Sequence, residues 1–455
     1  MNPSAPHSIP QKYSHKFGAR RGLNWLSLGL MYASFYMCRY NFRWAAPDLR
    51  KEFGLDVADI ANILGCWSWA YGIGQLVNGL FTDRIGGKKA MLYGALGTII
   101  VNVLFGAASG FGGFATFTLI WTLNGYIQAF GAPGMVKING AWFNRQERGT
   151  FAGVFGFMIQ LGQIAINQLA PALLLGFSIF MWVIPPLHWK WLFWVPPMFT
   201  ALFALLMYFS VKETPEEAGF HGVIEKHGEA DSGTTTNVKE SFLTIIRHPL
   251  VWYYALAYGC TGAVRHGADQ FAILYFIDEL KLNKGDTFLI GTLQLMPLFA
   301  VFGSFFSGWL SDTVFKGHRS PVAMSLYLLE TAVIVTAVIV IQGFNIKGVI
   351  WSCVFLVLIS FTTNSTHSLV GTAAPMDIGG RKMAGFATGV IDSFQYFGSG
   401  IAVPLIGYLV KHHGWNAWFP TMAGFGLLGA FAMLGVMMKQ KKMARTVAAK
   451  EVFGA

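Results

Sequence analysis

The sequence predicts an all-α membrane protein with twelve transmembrane helices arranged as two pseudo-symmetric six-helix bundles. Three observations lead to this prediction. Hydrophobic residues make up 54% of the 455-residue chain and charged residues only 12%, whereas a soluble domain usually carries about 25% charged residues. Apolar segments long enough to cross a bilayer as a helix, which takes about 20 residues, recur along the whole chain. Charged residues also recur at a nearly constant separation, which indicates an internal repeat.

The first six spans are separated from the last six by one long polar stretch, 212–248, whose run of Asp, Ser, Gly and Thr is typical of a linker. The predicted spans are 22–47, 58–81, 90–109, 113–138, 150–176, 189–211, 250–277, 286–310, 321–343, 348–373, 383–410 and 416–438. The predicted organisation is a tail (1–21), a first bundle (22–211), a linker (212–248), a second bundle (249–438) and a tail (439–455). The first 21 residues lack the apolar core and cleavage site of a signal peptide, so the first span is expected to be retained.

The distribution of basic residues predicts the orientation in the membrane. The tails, the linker and the loops on the same side as the termini hold 22 Lys and Arg, whereas the loops on the opposite side hold 7. The positive-inside rule therefore predicts that both termini are cytoplasmic. This sidedness accounts for the net charge of +11, so no nucleic-acid partner is expected. A bacterial inner membrane and a monomeric state are the default expectations.

Three pairs of charged residues carry the repeat. They are Asp83 with Asp312, Arg148 with Arg381, and Arg39 with Arg265, separated by 229, 233 and 226 residues. The segment from Gly79 through Asp83 and Arg84 resembles the loop signature of the major facilitator superfamily, and that resemblance implies six-plus-six repeats with a substrate site between them. Its glycine is expected to allow close helix approach, and its aspartate to accept bonds from helix-end amides and basic neighbours. The predicted gating and loop-motif residues are Gly79, Asp83, Arg84, Lys137, Arg148, Asp312 and Arg381.

Arg39 and Arg265 lie deep inside the first and seventh spans. A charge at this depth costs roughly 2.5–3.5 kcal/mol even on the insertion scale and is a functional hypothesis by default. Two facing guanidinium groups predict a site for a phosphate or carboxylate, which they bind through paired hydrogen bonds. The alternative is a structural ion pair, for which Asp269 is a candidate partner of Arg265. Arg43, one turn after Arg39, is expected to extend to the membrane interface.

Three other ionisable residues lie in apolar segments. Glu330, His367 and Asp392 are possible coupling residues, since a carboxylate in such surroundings could carry a proton. A structural role is favoured for Glu330, because the ninth span is often peripheral in this architecture. It is also favoured for His367, which lies in a polar run that is expected to line the cavity.

Longer motifs resemble the organophosphate:phosphate antiporter family, which includes glycerol-3-phosphate and hexose-phosphate transporters. They are Tyr36–Phe42, Ala70–Gly72, Gln146–Gly149, Thr214–Gly219, Val264–Gln270, and Gly308–Asp312 with Val314–Gly317. The resemblance implies that Arg39 and Arg265 hold a phosphoryl group and that Tyr32, Tyr36, Tyr71 and Tyr396 line the cavity. Two positions depart from the family pattern: Gln75 stands where the family often has lysine, and Ile159 or Gln160 where it often has histidine. Gln75, Gln160 and Asp269 are predicted, with these arginines and tyrosines, to be substrate-binding residues.

The expected function is exchange of a phosphorylated organic anion for inorganic phosphate by alternating access. The alternatives are a proton-coupled or exchange carrier of another organic anion, and a transporter-like sensor of sugar phosphate. An enzyme is not expected, since no nucleophile constellation or phosphate-cradling glycine loop is visible. No cofactor and no metal is expected either: Cys38, Cys66, Cys260 and Cys353 all lie in apolar segments without metal-ligand spacing. The expected partners are the small anion and the lipid bilayer.

Overall fold

The computed structural model describes residues 13–144, 148–224, 247–316, 318–343 and 348–453, without the side chains of 148–155, 179, 372–388, 444 and 447–453. Within these ranges the protein is almost entirely α-helical. The helices are α1 (His15–Phe53), α2 (Val57–Ile85), α3 (Gly87–Ala107), α4 (Phe114–Gln128), α5 (Gly131–Trp142), α6 (Arg148–Leu175), α7 (Val195–Ser210), α8 (Val251–Asp278), α9 (Thr287–Trp309), α10 (Arg319–Val338), α11 (Val349–His413) and α12 (Trp418–Phe453). A short antiparallel hairpin of β1 (Phe177–Ile179) and β2 (Trp182–Ile184) joins α6 to a 3₁₀ turn (Trp189–Phe193) that leads into α7.

Local sequence signals set the boundary between α1 and α2. The last turn of α1 is followed by Gly54, which adopts a left-handed conformation (φ 66°) that glycine tolerates without steric cost. The helix α2 starts with a reciprocal capping box, in which the Asp56 carboxylate accepts from the backbone N–H of Asp59 and the Asp59 carboxylate accepts from that of Asp56.

Three predicted spans differ in detail from the observed helices. The fourth span is broken between Gln128 and Gly131, because Pro133 cannot donate a backbone hydrogen bond to the preceding turn. The tenth and eleventh spans both belong to α11, which remains helical through the loop predicted between residues 373 and 383. Ser352 bonds Tyr275 near the start of α11, and Lys411 pairs with Asp56 near its end. Both ends of α11 therefore lie at the same end of the molecule.

Eight helical segments of the described residues are long and apolar enough to cross a membrane. Those segments lie in α3, α6, α7, α9, α10, α12 and, twice, in α11. The helices α1, α2 and α8, which are missing from the set, carry many buried polar residues, and α4 and α5 are short. The helices of lower hydropathy are therefore those that carry polar residues into the centre of the molecule.

Small residues bring the two halves together where α2 packs against the second part of α11. A Cβ atom on Gly65 would lie 2.4 Å from Pro404, and one on Gly407 would lie 2.2 Å from the Cβ atom of Ala61. The interface is completed by a contact between the hydroxyl groups of Ser68 and Ser399, 3.1 Å apart. Close packing of small residues is the usual way in which membrane helices associate.

Ion pairs join the halves at the end where α1 ends and α2 begins, which we call the far end because it is opposite the termini. The pairs are Arg50 with Asp278, Lys284 with Asp48, and Lys411 with Asp56. Burial alone would raise the pKa of Asp56, but hydrogen bonds from Lys411 and from the backbone N–H groups of Asp59 and Ala58 hold it below its usual value. The far end is therefore closed by charge pairs between the halves.

Candidate functional site

Arg39 projects from α1 into an aromatic environment and is only 2% exposed. Its guanidinium carbon lies 4.5 Å from the ring centroid of Tyr36, 4.9 Å from that of Trp67 and 4.5 Å from that of Tyr71. Its Nε donates to Oε1 of Gln128 at 3.1 Å, and its Nη2 has no hydrogen-bond partner among the described residues. Within those residues no carboxylate forms an ion pair with Arg39. Its charge is therefore stabilised by ring faces and one amide.

Arg265 projects from α8 in the other half and is 7% exposed. Its Nε also has no hydrogen-bond partner in the described part of the chain. Tyr36 and Tyr396 are electrostatic neighbours of both Arg39 and Arg265. The two guanidinium groups therefore border one shared tyrosine-lined region between the halves.

Asp269, the candidate ion-pair partner of Arg265, is instead bonded to α1. Its carboxylate accepts from the hydroxyl of Tyr40 at 3.1 Å, and its backbone carbonyl accepts from Nη1 of Arg43 at 3.0 Å. The structure contains no Arg265–Asp269 ion pair among the residues it describes. Asp269 is therefore an electrostatic neighbour of Arg265 without being its direct ion-pair partner.

The expectation that Arg43 extends to the membrane interface is wrong. Its side chain is 2% exposed and its Nη2 donates to Oδ1 of Asn167 at 2.8 Å. With the bond to Asp269, Arg43 connects α1 to α6 and α8. The amide and carbonyl partners stabilise the cation inside the protein, so it does not need to reach water.

Tyrosine rings connect the two arginines across the interface. Tyr71 of the first half and Tyr396 of the second lie 4.2 Å apart between ring centroids. On the other side, Tyr36 stacks on Tyr40 and contacts Tyr32, with centroids 5.9 and 5.5 Å away. All four of the predicted cavity tyrosines are thus buried in this one region.

Of the two glutamines that depart from the family pattern, Gln75 lies at the interface between the halves. Gln75 is a hydrogen-bonding neighbour of Asp392, which also interacts with Tyr258. Tyr258 in turn contacts Nδ1 of His367 at 2.9 Å. The side chain of Gln160 is 7% exposed, and its Oε1 has no partner in the described ranges.

Sequence reasoning missed three residues that border the region. They are Trp67, Gln128 and His266. The ring of His266 lies 5.6 Å from that of Tyr396. His266 is the sequence neighbour of Arg265, which was a usable signal. Trp67 and Gln128 gave none, because their contacts with Arg39 depend on how separate helices pack.

Comparison with known proteins supports the architecture. The family model described as Major Facilitator Superfamily matches residues 28–402. The chain belongs to the Major Facilitator Superfamily. A solved bacterial homologue of the human lysosomal transporter Spinster, in an inward-facing and unoccupied conformation, has a TM-score of 0.67 at 15% identity and covers 94% of this chain and 96% of its own.

Two relatives of this major facilitator protein are named as transporters of phosphate esters, and a third is named as a membrane sensor. It is 26% identical to a probable hexose phosphate transport protein of Chlamydia trachomatis, over 90% of this chain and 89% of the relative. It is 27% identical to a glycerol-3-phosphate transporter of Bacillus subtilis, over 85% and 86%. It is 23% identical to the membrane sensor protein UhpC of Salmonella typhimurium, over 91% of both. The resemblance to the organophosphate:phosphate antiporter family is confirmed, and the protein is a membrane transporter and not an enzyme.

The loop motif of this major facilitator protein lies at the end opposite the ion pairs. Nζ of Lys137 donates to the carbonyls of Thr82 and Asp83 at 3.0 and 2.8 Å, and lies 3.8 Å from the Asp83 carboxylate. The expected packing role of Gly79 is wrong, because a Cβ atom there would meet nothing within 4 Å, whereas one on Gly87 would lie 2.5 Å from a backbone oxygen of Gly134. Arg84 and Asp312 are exposed. The side chains of Arg148 and Arg381 lie outside the described residues.

Among the described residues, Glu330 has no hydrogen bond to the tyrosine-lined region around Arg39 and Arg265. It is fully buried inside the second half, where one carboxylate oxygen accepts from the hydroxyl of Thr366 at 3.1 Å. The other oxygen has no partner in the described part of the chain. These contacts, all within one bundle, favour a structural role.

Proposed function

We propose that this protein exchanges a phosphorylated organic anion for inorganic phosphate by alternating access. One observation carries the proposal: two buried arginines, one from each half, border the same tyrosine-lined region without an ion-pair partner among the described residues. A phosphoryl group carries the negative charge and the acceptor oxygens that two guanidinium groups can bind together. The named relatives that act on hexose phosphate and glycerol-3-phosphate support this substrate class.

The same arrangement favours exchange over one-way transport. Arg39 and Arg265 belong to different halves, so rocking of the halves about an empty site would bring two uncompensated cations through the low-dielectric centre. A bound anion compensates that charge and lowers the cost of the movement. Phosphate on one side and its organic ester on the other can each perform this role, which makes the return step depend on a second anion.

The proposed setting is a bacterial inner membrane with both termini in the cytoplasm, and a monomer as the transporting unit. The excess of Lys and Arg on the side of the termini supports this orientation. The far end, closed by Lys284–Asp48, Arg50–Asp278 and Lys411–Asp56, would then face the outside. Opening toward the outside would require these pairs to separate.

Phosphate exchange in proteoliposomes tests the proposal. Vesicles loaded with unlabelled phosphate should take up radiolabelled phosphate, and vesicles without internal phosphate should not. Arg39→Lys and Arg265→Lys keep the charge but lose the planar fork, so uptake should fall steeply in both. Arg20→Lys is the matched control, because Arg20 only donates to the backbone carbonyl of Ser210 near the loop motif. Normal exchange in both central variants would rule out the two-arginine site.

A carrier of another organic anion coupled to protons is a second candidate. Asp392 and its neighbour Gln75 favour it, because they place a carboxylate next to the site where the related family often has a lysine. Uptake that responds to a pH gradient and ignores internal phosphate would support this candidate. Sensing of a sugar phosphate is a third, suggested by the relative named as a membrane sensor. Specific binding without exchange by folded protein would support sensing.

A further inference from the structure

The β1–β2 hairpin between α6 and α7 exposes an apolar tip outside the helices. Its tip consists of Phe180, Met181, Trp182 and Val183, which are 100%, 95%, 79% and 78% exposed. The segment from Gly176 to Leu187 contains no charged residue. Exposed apolar patches of this kind mark contacts with another apolar phase or molecule.

The hairpin is a fixed projection and not a loose connection. Its strands pair Phe177 with Ile184 and Ile179 with Trp182, which leaves a two-residue turn. At its base the backbone N–H of Leu187 donates to the carbonyl of Leu173 at 2.8 Å, and Pro185 and Pro186 limit the backbone after β2.

The turn itself holds an aromatic residue in an unfavourable conformation. Phe180 has φ 53°, at the first position of a turn where glycine is the preferred residue. A side chain with a Cβ atom in this region carries a steric cost that glycine avoids. Phenylalanine at this position is therefore unfavourable on local conformational grounds.

We propose that the hairpin tip inserts into the interfacial region of the lipid leaflet at the far end. The hairpin directly joins two membrane spans, one ending at Leu175 and the next beginning at Trp189. From Gly176 to Phe180 it extends about 13 Å at roughly 3.3 Å per residue. The headgroup region is only about 5–8 Å thick on each side. A hairpin of this length would keep its tip within the headgroup region if it lies along the membrane surface, and that is the orientation the proposal requires.

Two features of the far end identify lipid as the occupant. Other exposed aromatic residues lie near the ends of helices there and form part of an interfacial belt, namely Phe111, Phe114, Phe288, Trp351 and Tyr408. The hairpin continues this belt with Phe180 and Trp182. By contrast, the loops that close the far end between the halves, 48–56 and 278–286, are rich in charged residues.

Site-specific fluorescence in liposomes tests the insertion. Cys66→Ser and Cys353→Ser remove the accessible thiols and leave Cys38 and Cys260, which are buried. Phe180→Cys or Val183→Cys is then labelled with an environment-sensitive fluorophore. Asn283→Cys, at an exposed position of the charged α8–α9 loop, is the matched control. The quenchers are a nitroxide-bearing phospholipid and aqueous iodide.

Insertion predicts that the lipid nitroxide quenches the label at Phe180→Cys and Val183→Cys at least about twofold more than it quenches the Asn283→Cys label. Iodide should show the reverse order. Quenching by iodide at the hairpin equal to that at Asn283→Cys would overturn the proposal by placing the tip in water. Shielding from both quenchers would also overturn it, because the tip would then contact protein. Using two labelled positions protects the test against misfolding of one variant.

Discussion

The two central arginines occupy equivalent places in the repeat but have different surroundings. Arg39 lies among three aromatic rings and is held by Gln128. Arg265 makes no ring contact of this kind among the described residues, and its neighbouring acid, Asp269, is bonded to Tyr40. We therefore expect the first half to hold its cation in place before the proposed anion binds, and the second half to leave its cation free to be oriented by that anion.

This difference shows that a repeat in sequence does not impose equal roles. A preorganised group contributes more to binding because less conformational freedom is lost when the ligand arrives. A less restrained group can follow its ligand when the halves move relative to each other. The asymmetry suggests that Arg39 positions the anion and that Arg265 closes over it.

The largest expected effect is a difference in phosphate exchange between variants of the two arginines. Arg39→Lys loses the planar fork, the bond to Gln128 and the ring stacking, so phosphate exchange should fall roughly a hundredfold, which corresponds to about 2.8 kcal/mol. Arg265→Lys loses the fork alone and should fall roughly tenfold. Initial rates of phosphate counterflow at matched protein content measure both. Equal losses would show that the different surroundings have no functional consequence.

Thermal stability provides the next largest contrast. Arg265→Gln removes a buried charge that has no ion-pair partner among the described residues, so unfolding should shift upward by a few degrees. Arg39→Gln also removes a buried charge, but it loses three cation–π contacts and the Gln128 bond, so its midpoint should stay the same or fall. Thermal unfolding in detergent without phosphate measures the two midpoints. A higher midpoint for Arg39→Gln than for Arg265→Gln would contradict the comparison.

The pairing of Asp269 allows a smaller and more specific test. Tyr40→Phe removes the hydroxyl that bonds the Asp269 carboxylate, which then becomes free to pair with Arg265. The apparent affinity for phosphate should fall about three- to tenfold, because Arg265 is then partly compensated. Adding Asp269→Asn to Tyr40→Phe should restore most of the apparent affinity, because the uncharged amide cannot compensate Arg265. Saturation curves for phosphate exchange measure the effect, and absence of rescue would show that Tyr40 acts in another way.

Composition and periodicity were enough to predict the helical membrane fold, because crossing a bilayer places strong demands on each span. The two central arginines could also be identified from the sequence, since a charged residue is conspicuous in an apolar segment. The burial of Arg43 could not be predicted, because its nearness to the end of a span gives no information about Asn167 and the Asp269 carbonyl on other helices. For the same reason the aromatic environment of Arg39 became visible only with the packing of α2 and α4.

The smallest expected effect concerns Lys411, a cation that has an ion-pair partner. It provides the reference for Arg39 and Arg265, which have none among the described residues. Lys411 pairs with Asp56 across the halves at the far end, on an exposed surface where such pairs contribute little. Asp56→Asn keeps a helix-capping residue but removes the charge, and should lower the midpoint of thermal unfolding by about 1–2 °C at pH 7.

Because the pKa of Asp56 is held below its usual value, the stabilisation is present above about pH 4 and is lost as the pH falls further. The difference between wild type and Asp56→Asn should therefore be constant from pH 7 to about pH 5 and disappear toward pH 3. A difference that persisted unchanged at pH 3 would mean that the charge of Asp56 does not cause it, and Lys411 would no longer serve as the paired reference.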